Sequence, residues 1–186
     1  MTELTRAFVA VEISEGARRQ ITDLLGRLRR DTGVPVRWVR PELMHLTLAF
    51  LGEVPQDFIE AATARLTEVA SGHRPFPMQL KGLGAFPGPT RARIVWVGVE
   101  PGRSDVCTLQ AGAVKALRAV GYQPEKRPFN PHLTMGRLRI PDDVSRAVAV
   151  QFESEPFVVE RVVLFRSVLE AAGPVYSAIA DLPLGG

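Results

Sequence analysis

A four-residue pattern occurs twice in this chain, as HLTL from His45 and as HLTM from His132, and the two copies lie 87 residues apart. Side chains alternate between the two faces of a β-strand, so a His and a Thr two positions apart point the same way. The apolar residues that follow each of them, Leu46 and Leu48 in the first copy, then face the core. Each copy therefore predicts a strand with one imidazole and one hydroxyl on its less apolar face.

The same spacing recurs outside the motif. Arg6 and Arg93 each open an apolar strand, and these two residues are also 87 positions apart. We interpret the spacing as two pseudo-repeats, at about 4–84 and 91–183, within one bilobal domain spanning residues 1–186. Strands that alternate with helices, without long fully apolar runs, favour an α+β fold with antiparallel sheets. The sequence thus predicts two pseudo-symmetric lobes of antiparallel sheet plus helices, around a central cleft.

Helices are predicted at corresponding places in the two repeats. Ser14 is a typical N-cap residue, and the apolar side chains after it recur at helical spacing, at Ile21, Leu24, Leu25 and Leu28. Ser104 is expected to cap a second amphipathic helix, whose apolar side chains are Val106, Leu109, Ala113, Leu117 and Val120.

The composition is that of an ordinary globular protein with a preference for arginine. The net charge of its 186 residues is +3, and lysine occurs at only three positions, so 20 of the 23 basic residues are arginine. Arginine suits bidentate contacts to phosphate, although composition bias in the genome explains scattered arginines equally well. Cys107 is the only cysteine, which excludes an intramolecular disulfide and a cysteine-based zinc site.

The N-terminal pattern does not predict a targeting signal. The first residues lack a basic region followed by a signal-type apolar run, and no apolar stretch approaches the roughly 18 residues that a membrane-spanning helix needs. We therefore expect a soluble, cytoplasmic protein without membrane association, and we expect it to be a monomer.

Three segments carry a resemblance to a known family. They are RAFVAVEI from Arg6, WVRPELMHLTLAFLGEV around His45 and RPFNPHLTMGR around His132. In these segments, and over nearly its whole length, the chain resembles the two-histidine (2H) phosphoesterases. It is most similar to the bacterial and archaeal RNA 2′,3′-cyclic phosphodiesterases, long called 2′-5′ RNA ligases. A single H-x-T-x pattern is weak evidence, but two copies in these contexts and at this spacing are specific.

The resemblance implies a bilobal α+β fold in which the two motifs face each other across a groove. It implies hydrolysis of a terminal 2′,3′-cyclic phosphate on RNA to a 2′-phosphomonoester, without metal or other cofactor, and a weak reverse 2′-5′ joining reaction. By position in the motifs, His45 matches the family's proton donor and His132 its proton acceptor. Thr47 and Thr134 match the hydroxyls that hold non-bridging phosphate oxygens.

The residues themselves suit this chemistry. Opening a cyclic phosphate in line requires a base that takes a proton from water and an acid that protonates the departing sugar oxygen. Histidine can do either near neutral pH, because its ordinary pKa is about 6.5. Two threonine hydroxyls can donate hydrogen bonds to the equatorial oxygens, and a nearby arginine can add positive charge.

Two further residues lie five positions after a motif histidine. The resemblance implies that Phe50 stacks on a base and that Arg137 contacts phosphate. Strict alternation would instead turn both toward the core, unless a bulge at Gly136 re-aims Arg137; no comparable signal precedes Phe50. Arg127, in the segment that enters the second motif, is another candidate for substrate binding, with a surface salt bridge as its ordinary explanation.

Other functions remain open from the sequence alone. The substrate could be ADP-ribose 1″,2″-cyclic phosphate or a small cyclic nucleotide instead of RNA. A zinc hydrolase would need three protein ligands, which two histidines and two threonines do not provide. A non-catalytic RNA-binding module would display aromatic side chains to solvent. Trp38 and Trp96 lie in apolar runs, and we expect both to be core residues.

Overall fold

The computed structural model describes residues 4–31 and 33–185. In chain order its strands and helices are β1 (Leu4–Glu12), α1 (Glu15–Asp31), β2 (Arg37–Trp38), β3 (His45–Pro55), α2 (Gln56–Ser71), β4 (Phe76–Met78), β5 (Leu80–Phe86), β6 (Ala92–Val99), α3 (Arg103–Arg118), β7 (His132–Asp142), α4 (Ser145–Val148), β8 (Phe157–Val159), β9 (Arg161–Glu170) and β10 (Gly173–Pro183). Short 3-10 turns at Pro41–Leu43 and Pro89–Arg91 precede β3 and β6.

Two four-stranded antiparallel sheets form the two lobes. The strand order is β10-β9-β1-β3 in the first sheet and β2-β7-β6-β5 in the second, and β4 pairs with β8 in a small third sheet. The predicted α+β class with antiparallel lobes is confirmed. Each sheet takes strands from both of the proposed pseudo-repeats: β2 and β5 of the first repeat join the second sheet, and β9 and β10 of the second repeat join the first sheet. The two lobes are therefore interlocked by exchanged strands.

The helices bury the faces that the sequence predicted. In α1 the four apolar positions after Ser14 are all buried, and the Ala17 backbone N–H donates to Ser14 Oγ at 3.1 Å, as expected for a cap. In α3 the buried residues are Val106, Leu109, Ala113 and Leu117. Val120, predicted in the same stripe, lies beyond the end of α3 and is half-buried against the core. Each fully buried leucine stabilises the fold by about 1.5–3 kcal/mol, so these stripes hold the helices against the sheets.

The predicted cap at Ser104 is wrong. Helix α3 begins at Arg103, after Gly102, so Ser104 lies inside the first turn and makes no capping bond. Gly102 has φ 94°, and a Cβ there would lie 2.7 Å from the Pro77 carbonyl oxygen. The close approach to β4 requires glycine at this position, which leaves no place for a side-chain cap.

No helix within the described ranges is long and apolar enough to cross a lipid bilayer.

Candidate active site

A cleft of about 730 Å³ lies between the two sheets. Its walls include both motif strands, and the Cα atoms of β3 and β7 approach within 8 Å of each other. Both predicted His–Thr pairs line it: His45 and Thr47 on one side, His132 and Thr134 on the other. Between them on each strand, Leu46 and Leu133 are fully buried, as strand alternation requires.

The two imidazoles are held in the same way. The Nδ1 atom of His45 lies 2.8 Å from the Leu43 carbonyl oxygen, and the Nδ1 atom of His132 lies 2.7 Å from the Asn130 carbonyl oxygen. A carbonyl oxygen only accepts, so each Nδ1 carries a hydrogen and donates it. Each Nε2 atom is therefore left for proton transfer. Because the acceptor is the backbone two residues earlier, the local chain sets the tautomer in both motifs.

Burial shifts both imidazoles toward the neutral form. Removal from water lowers the pKa of His45 below its usual value; the hydrogen bond to Leu43 and the Glu12 carboxylate oppose this, while Arg18 adds to it. Removal from water also lowers the pKa of His132; the hydrogen bond to Asn130 opposes this, and Arg137 adds to it. The charged group with the largest effect is thus the Glu12 carboxylate at His45 and the Arg137 guanidinium at His132.

A register shift in β3 turns Phe50 into the cleft. Val9 of β1 is paired with Ala49, but Ala10 is paired with Thr47, so two residues of β3 oppose one of β1, as in a β-bulge. Leu48 and Ala49 are consequently both buried, and Phe50 is 43% exposed and lines the cleft. The alternative from strict alternation, that Phe50 is buried, is wrong because of this bulge. The bulge carries no glycine and therefore has no signal in the sequence.

A matching shift in β7 turns Arg137 into the cleft. Val95 of β6 is paired with Gly136, and Trp96 is paired with Thr134, so Met135 is the extra residue. Met135 and Gly136 are both buried, and Arg137 is exposed and lines the cleft. The bulge expected at Gly136 is present. Both residues at the odd offset therefore reach the site by the same backbone device.

The aromatic surroundings of the two imidazoles differ. The Phe8 ring stacks on His45, with centroids 4.6 Å apart and planes at 25°, and Tyr176 meets the same imidazole edge-on at 5.4 Å. Among the described residues, the rings near His132 meet it edge-on: Phe86 at 5.1 Å and Trp96 at 6.2 Å. Phe8 lies within the RAFVAVEI strand, but its contact with His45 depends on the pairing of β1 with β3.

Three more arginines line the cleft, namely Arg6, Arg37 and Arg40. Sequence reasoning missed all three. They come from β1, from β2 and from the loop after β2. The Arg6 guanidinium lies 5.1 Å from the centroid of the Phe50 ring. These residues are distant in sequence from both motifs or carry no periodic pattern, so only the strand pairing could reveal them.

Some expectations place residues elsewhere than the structure does. Arg127 is exposed and does not line the cleft, so the structure does not bring it to the motif residues. Trp38 packs against the core and also lines the cleft. Trp96 is half-buried on the His132 side of its sheet, so the prediction that it is a core residue is wrong. His73, the third histidine of the chain, lies in the loop after α2 and does not line the cleft.

Among residues 4–31 and 33–185, no group of three or more His, Cys, Asp or Glu side chains is arranged to hold a metal ion.

Comparison with known proteins gives a consistent result. The family model for LigT-like phosphoesterases matches residues 11–96 and again residues 97–176. A curated relative, the RNA 2′,3′-cyclic phosphodiesterase of Archaeoglobus fulgidus, is 34% identical over 174 residues, covering 92% of this chain and 96% of that protein.

Solved structures share the fold over nearly the whole length. TT0787 of Thermus thermophilus is 30% identical, with a TM-score of 0.79, and the match covers 97% of this chain and 98% of that one. Escherichia coli LigT, solved in complex with 3′-AMP, has a TM-score of 0.81 at 24% identity, covering 99% and 100%. The two-lobed fold, the paired motifs and these matches agree with the resemblance first noted in the sequence. The chain therefore belongs to the LigT-like phosphoesterases of the two-histidine family, and it is an enzyme of that family.

Proposed function

We propose that this protein hydrolyses the 2′,3′-cyclic phosphate at the 3′ end of an RNA to a 2′-phosphomonoester, without a metal ion. Relatives that match over most of the chain bear the name RNA 2′,3′-cyclic phosphodiesterase. The observation that carries the proposal is the pair of imidazoles in one cleft, each with Nδ1 bound to a backbone carbonyl and Nε2 left for proton transfer.

In the proposed reaction His132 is the base and His45 is the acid. The Nε2 atom of His132 takes a proton from water, the resulting oxygen attacks phosphorus, and the bond from phosphorus to the 3′ oxygen breaks. The Nε2 atom of His45 donates its proton to that departing oxygen, which leaves the phosphate on the 2′ oxygen. One imidazole must start neutral and the other protonated, so their ionisations are coupled through the anionic substrate. An RNA 5′-hydroxyl in place of water would give 2′-5′ joining.

The charges around the imidazoles support this order of roles. Burial lowers the pKa of both. At His45 the Glu12 carboxylate opposes this shift more strongly than the Arg18 cation adds to it, which favours the imidazolium that an acid needs. At His132 the Arg137 cation reinforces the shift and favours the neutral form that a base needs. The stacked Phe8 ring also favours a cationic imidazole at His45, because a ring face attracts positive charge.

The remaining cleft residues have assigned roles in the proposal. Thr47 and Thr134 donate hydrogen bonds to the non-bridging oxygens, whose charge grows in the transition state. Arg137 contributes positive charge to the same phosphate. Phe50, exposed on the β3 wall with Arg6 over its ring, stacks on the terminal base. We further propose that the protein acts as a monomer.

The decisive assay uses an oligonucleotide with a 3′-terminal cyclic phosphate, incubated with the protein in a chelator. We expect turnover, and we expect phosphorus NMR to show a 2′-phosphate product. A 3′-phosphate product would reverse the assignment of acid and base, and complete inhibition by the chelator would contradict metal independence. ADP-ribose 1″,2″-cyclic phosphate and nucleoside 2′,3′-cyclic phosphates serve as competing substrates, and a higher kcat/KM for either would replace RNA as the proposed substrate.

Phe50→Ala tests how the site distinguishes the two sugar oxygens. If base stacking at Phe50 places the ribose with its 3′ oxygen next to His45, this variant should release a mixture of 2′- and 3′-phosphates. An isomerically pure product at the wild-type rate would remove Phe50 from that role.

A further inference from the structure

Two arginines lie directly opposite each other on the wall of the cleft that the second sheet forms. Arg37 of β2 and Arg137 of β7 are antiparallel cross-strand partners, and both side chains are exposed and line the cleft. Like charges directly opposite each other destabilise a sheet. In the described part of the chain, neither arginine takes part in an ion pair with an acidic side chain. The sheet thus holds a repulsive pair without a carboxylate to offset it.

The cleft as a whole carries more positive charge than one cyclic phosphate needs. Four arginines line it, Arg6, Arg37, Arg40 and Arg137, against one carboxylate, that of Glu170. A 2′,3′-cyclic phosphate is a phosphodiester with a single negative charge. Two of the four guanidinium groups already have protein contacts, since Arg40 donates to the Pro174 carbonyl oxygen at 3.5 Å and Arg6 lies over Phe50.

The position of Arg37 relative to the motif indicates where a second anion would lie. Strand β7 begins at His132 and continues through Thr134 to Arg137. Strand β2 lies beside β7 as the outer strand of the sheet. Arg37 is therefore one strand further from the motif residues than Arg137. Cross-strand partners have Cα atoms about 5 Å apart, so two long side chains there can reach separate phosphates.

We propose that Arg37 forms a second phosphate subsite, which binds the phosphodiester linking the terminal nucleotide to the nucleotide before it. The inference rests on the proposed function, since it concerns how RNA occupies the same cleft. Arg137 then faces the cyclic phosphate and Arg37 faces the next phosphate, so bound RNA neutralises the repulsive pair. The substrate class is consequently an oligonucleotide of at least two residues, and a mononucleoside cyclic phosphate is a poorer substrate.

The test compares three substrates with the same terminal base: a mononucleoside 2′,3′-cyclic phosphate, a dinucleotide with that terminus, and the same dinucleotide with an uncharged methylphosphonate linkage. We expect wild-type kcat/KM to be highest for the charged dinucleotide. Arg37→Gln should lower kcat/KM for the charged dinucleotide about tenfold or more, as expected for a lost bond to a charged group. Its effect on the other two substrates should be about twofold or less, from the weaker positive potential in the cleft.

Arg139→Gln is the matched control. Arg139 is exposed on the same strand as Arg137 but does not line the cleft, so this variant should not discriminate among the three substrates. A second readout is stability: Arg37→Gln removes a like-charge contact, and we expect its melting temperature to equal or exceed that of the wild type.

Several outcomes would overturn the subsite. An equal loss on all three substrates would place Arg37 at the cyclic phosphate, and equal wild-type kcat/KM for the charged and uncharged dinucleotides would show that the linking phosphate is not bound. A lower melting temperature for Arg37→Gln would assign the residue a structural role. In each of these cases the proposed hydrolysis still stands. If the wild type turns over none of the three substrates, the proposed function and the subsite are both contradicted.

Discussion

The two motif strands, β3 and β7, have nearly the same backbone and different surroundings. Both begin with a half-buried histidine, bury the following leucine, then place two buried residues in succession before an exposed residue that enters the cleft. Both anchor the imidazole through Nδ1 to the carbonyl two residues earlier. The backbone therefore delivers two equivalent proton-transfer groups, and their neighbours must make one an acid and the other a base.

The neighbours differ because the strands occupy different places in their sheets. Strand β3 lies at the edge of its sheet, whereas β7 lies between β6 and β2. The extra strand brings Arg37 and Trp38 beside the second motif, and no described strand pairs with β3 on its outer side. Strand β1, which pairs with β3, contributes the stacked Phe8 ring and Glu12, the cross-strand partner of His45. Pseudo-symmetry of the backbone thus coexists with different charged neighbours at the two imidazoles, although burial lowers the pKa of both.

The largest effect is expected from removing either imidazole. His45→Ala and His132→Ala should each lower kcat by about 10²–10⁴-fold on a cyclic-phosphate oligonucleotide, because general acid and general base are both needed. His73→Ala, which changes a histidine outside the cleft, is the control and should keep the wild-type rate. If either variant retains more than about a tenth of the wild-type rate, the replaced histidine does not have its assigned role.

A smaller effect is expected from the threonines. Thr47→Val and Thr134→Val keep the shape of the strand but remove one hydrogen bond to a charged oxygen, which corresponds to about 10- to 100-fold in kcat. If the two motifs share the phosphate symmetrically, the two losses should be similar. Steady-state kinetics with both variants measures this, and a loss in one variant alone would show that a single threonine holds the phosphate.

The two bulges should differ in their tolerance of a side chain. Ala49 and Gly136 occupy equivalent positions, but a Cβ at Gly136 would lie 2.5 Å from Val36 Cγ1 and 2.9 Å from Trp38 Cε3. We expect Gly136→Ala to lower the free energy of unfolding by about 1–3 kcal/mol in urea denaturation, since these neighbours must shift. Gly26→Ala, at a helical position where an added Cβ would have only an ordinary contact of 3.9 Å with the Arg30 guanidinium, should instead raise it by about 0.5–1 kcal/mol. An unfolding free energy for Gly136→Ala at or above the wild-type value would contradict the packing argument.

The smallest effects, and the ones that best separate the two roles, are in the pH profile of kcat/KM. The acid must be protonated, so activity falls as pH rises through its pKa; the base must be neutral, so activity falls as pH drops through its pKa. Burial lowers the pKa of both histidines, which places the bell below the range of two solvated histidines. Glu12→Gln removes a group that raises the pKa of His45, and should move the alkaline limb to lower pH.

Arg137→Gln removes a cation that lowers the pKa of His132, and should move the acidic limb to higher pH. Reversed roles would reverse the pattern, so that Glu12→Gln shifts the acidic limb and Arg137→Gln the alkaline one. That result would exchange the acid and base assignments while leaving the two-histidine mechanism intact.

Much of this molecule was predictable from local patterns. The motif strands, the apolar stripes of α1 and α3 and the common face of each His–Thr pair follow from periodicities of 2 and 3.6 residues, which depend on backbone geometry alone. Gly136 indicated the bulge in β7, because a glycine inside a strand pattern is a known sign of one. The family resemblance rested on the two motifs and their spacing, and the comparisons confirmed it.

Other features required the tertiary structure. The bulge in β3 arises from its pairing with β1 and carries no glycine. Strand alternation alone therefore wrongly turned Phe50 toward the core, whereas the family resemblance implied a place for it at the substrate. The exchange of β2, β5, β9 and β10 between the lobes, the stacking of Phe8 on His45 and the approach of Arg37 to Arg137 all join residues far apart in sequence. The sequence alone determined which faces of each element are apolar and which chemistry the two motifs carry. Only the tertiary structure decided which neighbours surround each imidazole, because strand pairing is a non-local choice set by packing across the whole molecule.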